Sequence, residues 1–169
     1  MNYCGLEKCD TLNGSGFHVS IWVSGCNHTP KCPYCQNRNA WDFNYGKEFT
    51  QETIEEIVTA MDKPYINALS IIGGEPMDNL GDGSMFKLLE TIKEKFHNDK
   101  KIWCWTGRIF DELATDNEKK FLSYIDVLID GEYDYTKKNL NRAWANSTNQ
   151  RVIDVKKTLE KGEVVLWDI

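Results

Sequence analysis

The stretch that decides the fold is His18-Val19-Ser20-Ile21-Trp22-Val23-Ser24-Gly25-Cys26. Its first six residues are mostly apolar or β-branched, which is typical of a buried β-strand. Ser24-Gly25 ends the strand, because small and flexible residues mark the start of a loop. The strand therefore delivers Cys26 to its carboxyl end, and a polar loop follows to about Lys47.

The rest of the chain alternates helical and strand patterns. Thr50 has the position of a helix N-cap, and Pro64 follows the apolar residues that recur at helical spacing behind it. The further predicted segments are a strand over 68–72, a helix over 84–97, a strand over 101–105, short helical segments over 109–124, and strands over 126–129, 152–155 and 164–167. This alternation predicts an α/β fold with a mostly parallel sheet. Four strand–helix units are too few to close an eight-stranded barrel, so we expect an open partial (β/α) barrel.

Length and composition limit the class of protein. The 169 residues predict a single domain over 1–169. The chain has 20 basic and 26 acidic residues without a long run of Lys or Arg, which argues against a nucleic-acid partner. Residues 1–16 lack the apolar core of a signal peptide, and no eighteen apolar residues run together. We therefore expect a cytoplasmic protein that does not bind membranes.

Polar chemistry repeatedly follows the carboxyl end of a predicted strand. The segments concerned are 26–35, 73–76, Thr106-Gly107 and Asp130-Gly131. In parallel α/β folds, ligands bind at this edge of the sheet. The sequence therefore predicts one shared site at the carboxyl ends of the strands.

The strongest chemical signal is a group of three cysteines, Cys26, Cys32 and Cys35, separated by five and by two residues. Burial as small hydrophobic residues suits Cys104, which lies inside a predicted strand, better than cysteines in a polar loop. In a reducing cytosol such a group is more often a metal site or a catalytic site than a set of disulfides. Together with His28, the three thiols are consistent with a four-ligand zinc site.

Two further hypotheses concern the same loop. Cys32-Pro33-Tyr34-Cys35 is a Cys-x-x-Cys motif of the thiol-redox type, but residues 36–42 lack the helical periodicity that such a site needs. An iron–sulfur cluster normally has four thiolate ligands, so three cysteines leave one iron open to a substrate or cofactor. Cys4 and Cys9 both precede the first strand, and we treat them as spare.

Several segments together resemble the radical S-adenosylmethionine superfamily. The cysteine loop has an aromatic residue, Tyr34, directly before its last cysteine, and Gly73-Gly74-Glu75-Pro76 follows the second predicted strand. Within the superfamily, the chain is similar over nearly its whole length to the activases of anaerobic ribonucleotide reductases. The other segments that carry this similarity are Asn13-Gly14-Ser15-Gly16, 23–28, Trp105-Thr106-Gly107, 126–131 and 147–155.

The chain departs from this family's pattern at two places. The family usually has three residues between the first two cysteines, whereas 27–31 makes five here. Lengthening a surface loop costs only about 0.6 kcal/mol per doubling, so the ligands are retained while the loop geometry differs. His18 stands where the family commonly has an arginine, and no role of that charge is carried over.

The resemblance implies a radical S-adenosylmethionine oxidoreductase with an open partial barrel of that superfamily's type. Its cofactors are a 4Fe-4S cluster, held by the three cysteines, and S-adenosyl-L-methionine, which the reduced cluster cleaves to a 5′-deoxyadenosyl radical. No catalytic residue is implied beyond the cluster and cofactor. The residues implied to bind the cofactor are Tyr34, Cys35, Gln36, Gly73, Gly74, Glu75, Thr106 and Asp130.

Some of these roles have an alternative. Gly73 and Gly74 let backbone approach a ligand closely, while Glu75 either accepts from the cofactor's amino group or braces its own loop. Asp130 and Thr106 either bind the cofactor or have a structural role at their strand ends. Asn149-Gln150-Arg151 has two alternative roles, either as a docking surface or as a structural tie that joins parts of the fold.

The resemblance also implies partners. The substrate is the large subunit of the anaerobic ribonucleotide reductase, on which the activase generates a glycyl radical, and the electron donor is of the flavodoxin type. The competing functions are a pyruvate formate-lyase-type activase and a 7-carboxy-7-deazaguanine synthase. A zinc-stabilised binding module is the alternative from a different class.

Overall fold

The computed structural model describes residues 1–168. Within them lies a seven-stranded sheet in the order β3-β1-β2-β4-β5-β6-β7. The strands are β1 (Asn2–Asp10), β2 (Phe17–Val23), β3 (Lys47–Glu48), β4 (Ile66–Gly73), β5 (Lys101–Trp105), β6 (Val127–Asp130) and β7 (Arg151–Asp154). The α-helices are α1 (Gln51–Met61), α2 (Ser84–Phe96), α3 (Asp116–Tyr124) and α4 (Val155–Lys161).

The sheet is mixed, with a parallel middle and antiparallel edges. The strands β2, β4, β5 and β6 pair in parallel, whereas β1 and β3 on one side and β7 on the other pair antiparallel. The α/β class is therefore confirmed, and the parallel arrangement holds for the middle of the sheet. Because β2 and β4 pair from His18 opposite Ala68 to Val23 opposite Gly73, their following loops begin side by side.

The two faces of the sheet are covered differently. Alternate residues of a strand point to opposite faces, and Leu69 and Ile71 of β4 belong to the large apolar cluster that contains the helices' buried residues. Ala68 and Trp103 belong to a second cluster, with Ala145 from the segment between β6 and β7. Helices thus cover one face, and the other carries a smaller tryptophan-rich layer.

Three segments differ from the sequence-based expectation. Strand β1 was not predicted because it is an edge hairpin strand, with Glu7, Lys8 and Cys9 exposed rather than buried in the core. Its partner β3 has only two residues, too few to produce a pattern. The strand predicted over 164–167 is a single bridge between Leu166 and Ile153, since only isolated backbone bonds join the two segments.

Among the described residues, none of the helices combines the length and the apolar character needed to cross a membrane.

Candidate cluster and cofactor site

A cavity of about 150 Å³ lies at the carboxyl ends of the parallel strands. It brings together residues that are far apart in sequence but follow neighbouring strands. The predicted site residues that line it are Cys26, Cys32, Cys35, Gly73, Gly74, Glu75 and Thr106. Tyr34, Gln36 and Asp130 are not among its lining residues. The expected location of the site at the strand ends agrees with this geometry.

The start of the cysteine loop is held by backbone hydrogen bonds. Gly25 N–H donates to the carbonyl oxygen of Ala40 at 2.8 Å, and Cys26 N–H donates to Trp41 at 3.3 Å. Asn27 N–H donates to a carboxylate oxygen of Asp78 at 2.6 Å. Cys26 is thereby fixed next to the end of β2, as its position after that strand predicted.

The thiols of Cys26 and Cys32 favour their protonated form in the absence of a metal. Burial raises the pKa of Cys26. Burial, together with the nearby Glu132 carboxylate, raises the pKa of Cys32 to about 12. A cation is therefore needed to hold these side chains as thiolates near neutral pH, because a bound metal stabilises the deprotonated form.

The donor set fits a cluster better than a single ion. Within residues 1–168, no three His, Cys, Asp or Glu side chains converge closely enough to hold one metal ion. The thiolates of an iron–sulfur cluster bind different irons, so they do not need to meet at one point. The three cysteines line one cavity, and the acidic residue among its described lining residues, Glu75, accepts hydrogen bonds from Met77 and Thr106.

Neither alternative hypothesis for the loop gains support from its geometry. His28 lines the same cavity as the thiols, and its Nε2 contacts Glu75 at 3.3 Å. Within the described residues no three such side chains converge on one ion position, so the arrangement does not favour a zinc site. The hydrogen bond with Glu75 raises the pKa of His28 against the effect of burial. After Cys35 the chain forms turns and a short 3-10 helix, Arg38–Trp41, rather than the helix that a thioredoxin-like site requires.

Glu75 connects three segments of the site. Its side chain is 1% exposed. One oxygen accepts from Met77 N–H at 3.1 Å and from the Thr106 hydroxyl at 2.7 Å, and the other accepts from Gly107 N–H at 2.9 Å and contacts His28. The bracing role that the sequence left open is thus the role visible in the contacts of this carboxylate.

The two glycines before Glu75 serve the packing of backbone against backbone. Gly73 has a φ of 113°, in the region that favours glycine, and a Cβ there would overlap Val23. A Cβ on Gly74 would overlap the backbone oxygens of Gly25 and Ala40. The close approach predicted for a ligand is therefore made by the chain itself, next to the cavity.

Asp130 and Tyr34 are placed differently from the cavity-lining residues. Asp130 is fully buried and accepts from Phe110 N–H at 2.8 Å and from the Arg151 guanidinium at 2.6 and 3.1 Å. Tyr34 is 59% exposed, and its ring lies 4.2 Å from that of Tyr135, centroid to centroid. Their contact with a cofactor stays a prediction.

Sequence reasoning missed one pair at the site, Asp78 and Arg108. The guanidinium of Arg108 donates to Asp78 at 2.8 Å, and the other oxygen of Asp78 holds the cysteine loop at Asn27. Both residues lie just past strand-end motifs, after Gly73–Pro76 and after Thr106-Gly107. The sequence-based expectation that polar residues just after a strand belong to the site would have included both residues if it had extended two residues further along the chain.

Known proteins resemble this chain over almost its whole length. A family model described as a 4Fe-4S single cluster domain matches residues 12–153. The protein named anaerobic ribonucleoside-triphosphate reductase-activating protein of Enterobacteria phage T4 is 37% identical over 154 residues, covering 90% of this chain and 93% of its own length. The proteins of the same name from Vibrio cholerae and Escherichia coli K12 are 34% and 32% identical, covering 89% and 90% of this chain and 96% and 97% of their own lengths.

Proposed function

Because the chain belongs to the family of the anaerobic ribonucleoside-triphosphate reductase-activating proteins, which confirms the resemblance of its motifs, we propose that it is the activase of an anaerobic ribonucleotide reductase. In this proposal it binds a 4Fe-4S cluster and S-adenosyl-L-methionine and generates a glycyl radical on the reductase. The match of residues 12–153 to a 4Fe-4S single cluster domain supports the first cofactor.

One observation carries the assignment of the site. Cys26, Cys32 and Cys35 line the same cavity as Gly73, Gly74 and Glu75, although the two motifs are separated by almost forty residues of sequence. We assign the three thiolates as cluster ligands. The cofactor would bind next to them along 73–75 and Thr106.

The residues of the chain bind and orient, while the bound groups supply the chemistry. When bound, the two groups would supply one-electron cleavage of the bond between the cofactor's sulfonium and C5′, giving methionine and a 5′-deoxyadenosyl radical that takes a hydrogen atom from the partner's glycine. The Glu75 contacts to Met77, Thr106 and Gly107 keep the ends of β4 and β5 together beneath this site. Burial of Cys26 against the end of β2 keeps its sulfur shielded from water.

Several finer statements belong to the same proposal. Residues 1–169 form one domain, and its sheet is an open partial barrel of the radical S-adenosylmethionine type, supported by the parallel order β2-β4-β5-β6. The protein substrate is the large subunit of the reductase. A flavodoxin-type electron donor and a cytoplasmic location stay predictions.

The test uses anaerobically reconstituted protein, with Cys26→Ser as the variant and Cys9→Ser as the matched control. Cys9 is exposed on β1, away from the cavity, so its substitution preserves the site. We expect four irons per chain and 5′-deoxyadenosine formation after dithionite reduction in the unaltered protein and in the control. Both should be lost in Cys26→Ser. Stoichiometric zinc without cofactor cleavage would reject the proposal in favour of a zinc-stabilised binding module.

A further inference from the structure

Beyond the last backbone-paired residues of β6 and β7, side-chain hydrogen bonds continue to join the two chain segments. Asp130 lies opposite Arg151 as the last antiparallel pair, so Gly131 lies opposite Gln150. Gly131 leaves the strand with a φ of 93°, which ends the regular ladder. The side-chain amide of Gln150 then donates to the carbonyl oxygen of Gly131 at 3.1 Å.

The next position repeats the arrangement. Asn149 lies opposite Glu132 in the same register, and its side-chain amide donates to the Glu132 carbonyl oxygen at 2.7 Å. At the other end, Arg151 donates from two nitrogens to the buried carboxylate of Asp130. Three consecutive side chains therefore hold three consecutive residues, from Asp130 at the end of β6 to Glu132.

The side chain of Gln150 is also held by backbone groups of the loop that precedes it. Its side-chain oxygen accepts from Asn146 N–H at 3.0 Å and from Ser147 N–H at 3.2 Å. With the oxygen held there, the amide nitrogen is directed at Gly131. Gln150 is thus a rigid connection between the loop over 146–147 and the segment after β6.

The segment that these side chains hold is a wall of the cavity. Gly131 and Tyr133 line the cavity together with the three cysteines, and so does Gln150. Glu132 lies between Gly131 and Tyr133 in the sequence. Movement of 131–133 would therefore change the shape of the cavity next to the cysteine loop.

We propose that Asn149, Gln150 and Arg151 are positioning residues: they hold 130–132 and thereby order Gly131 and Tyr133 as a preformed wall of the S-adenosyl-L-methionine site. This inference rests on the proposed function. A wall that is ordered before binding lowers the entropy cost of binding, so loss of the Asn149 hydrogen bond weakens cofactor affinity without changing a residue that lines the cavity. Of the two roles that the sequence left open for these residues, the contacts support the structural tie.

Two isosteric variants test these hydrogen bonds, and Asn149→Asp is the one that separates positioning from direct contact, because Gln150 itself lines the cavity. Gln150→Glu removes the amide that donates to Gly131 but keeps the oxygen that accepts from Asn146 and Ser147. Asn149→Asp removes the donor to Glu132, and Asn149 is not a lining residue of this cavity. The control is Asn139→Ala, because the Asn139 side chain accepts from Asn141 within the same loop.

We expect Gln150→Glu and Asn149→Asp each to raise the Kd of S-adenosylhomocysteine for the reconstituted protein about fivefold to tenfold, the size of one lost hydrogen bond. Hydrogen–deuterium exchange of the amides of 131–133 should be faster in both variants, even without cluster or cofactor. The control should match the unaltered protein in both measurements. A KM for S-adenosyl-L-methionine that rises while kcat is retained would accompany these changes.

An unchanged Kd in Asn149→Asp, or unchanged exchange at 131–133 in either variant, would overturn the inference. So would an equal loss of affinity in the control, because that would indicate a general loss of loop stability. If the unaltered protein binds no S-adenosylhomocysteine, both the proposed function and the inference about the cavity wall fail. If the unaltered protein and both variants bind S-adenosylhomocysteine with the same Kd, only the inference fails.

Discussion

At the scale of single residues, Glu75 shows how much of a site's organisation depends on one buried carboxylate. Four groups from three chain segments surround its two oxygens, at His28, Met77, Thr106 and Gly107. Burying a carboxylate is costly unless its oxygens are hydrogen-bonded, so these contacts serve the fold as well as the site.

Replacing Glu75 by glutamine should lower the free energy of unfolding by about 2 kcal/mol, because one amide nitrogen would face groups that now donate to an oxygen. Urea unfolding of the protein without cofactors measures this loss. Glu112→Gln is the control, since Glu112 is exposed in the short helix Phe110–Glu112. Equal urea midpoints for the two variants would contradict the bracing role of Glu75.

The cysteine spacing and the residues after each strand identified most of the cavity lining from the sequence alone. The partners of Glu75 were not predictable in the same way. They come from the loops after β2, β4 and β5, and only the register of the folded sheet brings these loops together. Likewise, the lack of a Cβ at Gly74 predicts close approach by other atoms, but only the folded sheet shows that the backbone of Gly25 and Ala40 makes such an approach.

At the scale of elements, helix α3 begins with a capping box. The hydroxyl of Thr115 accepts from Glu118 N–H at 3.3 Å, and the Glu118 carboxylate accepts from Thr115 N–H at 2.9 Å. These bonds satisfy backbone donors that a helix start leaves free. Helix α3 has only nine residues, of which Phe121 and Leu122 are buried in the core. Because so short a helix has few hydrogen bonds of its own, its stability depends on the capping box.

Thr115→Ala should therefore cost about 1 kcal/mol of stability, as expected for loss of an N-cap hydroxyl. Thermal unfolding of the variant measures the change. Thr115→Ser keeps the hydroxyl and is the control, which should unfold close to the unaltered protein. If serine and alanine lower the stability equally, the capping account of this helix is wrong.

The elements divide into predictable and unpredictable ones for a physical reason. The middle strands β4, β5 and β6 contribute residues to the apolar clusters on both faces of the sheet, whereas β2 has the buried polar residues His18 and Ser20 on one face. All four strands are buried and therefore appear as mostly apolar runs. Strand β1 and the two-residue β3 form the edge, where exposed polar side chains weaken the pattern. The sequence therefore predicted the part of the sheet that carries the site.

At the scale of the whole molecule, the parallel middle of the sheet gathers the strand ends into one cavity. The antiparallel strands β1 and β7 flank this middle, and the segment after β6 closes one wall of the cavity. In the proposed function, the reactive site lies at this rim, where a segment of a protein partner has access to it. The central claim is that cofactor cleavage at a cluster bound by the three cysteines generates a glycyl radical on the partner reductase.

The most direct test is electron paramagnetic resonance of the anaerobic reductase's large subunit after incubation with the reconstituted protein, S-adenosyl-L-methionine and dithionite. The account predicts a glycyl-radical doublet on the reductase, formed together with 5′-deoxyadenosine and absent with Cys26→Ser. In reductase labelled with α-deuterated glycine, the doublet should collapse to a singlet. Cofactor cleavage without a radical on the reductase, or the same radical with Cys26→Ser, would contradict the account.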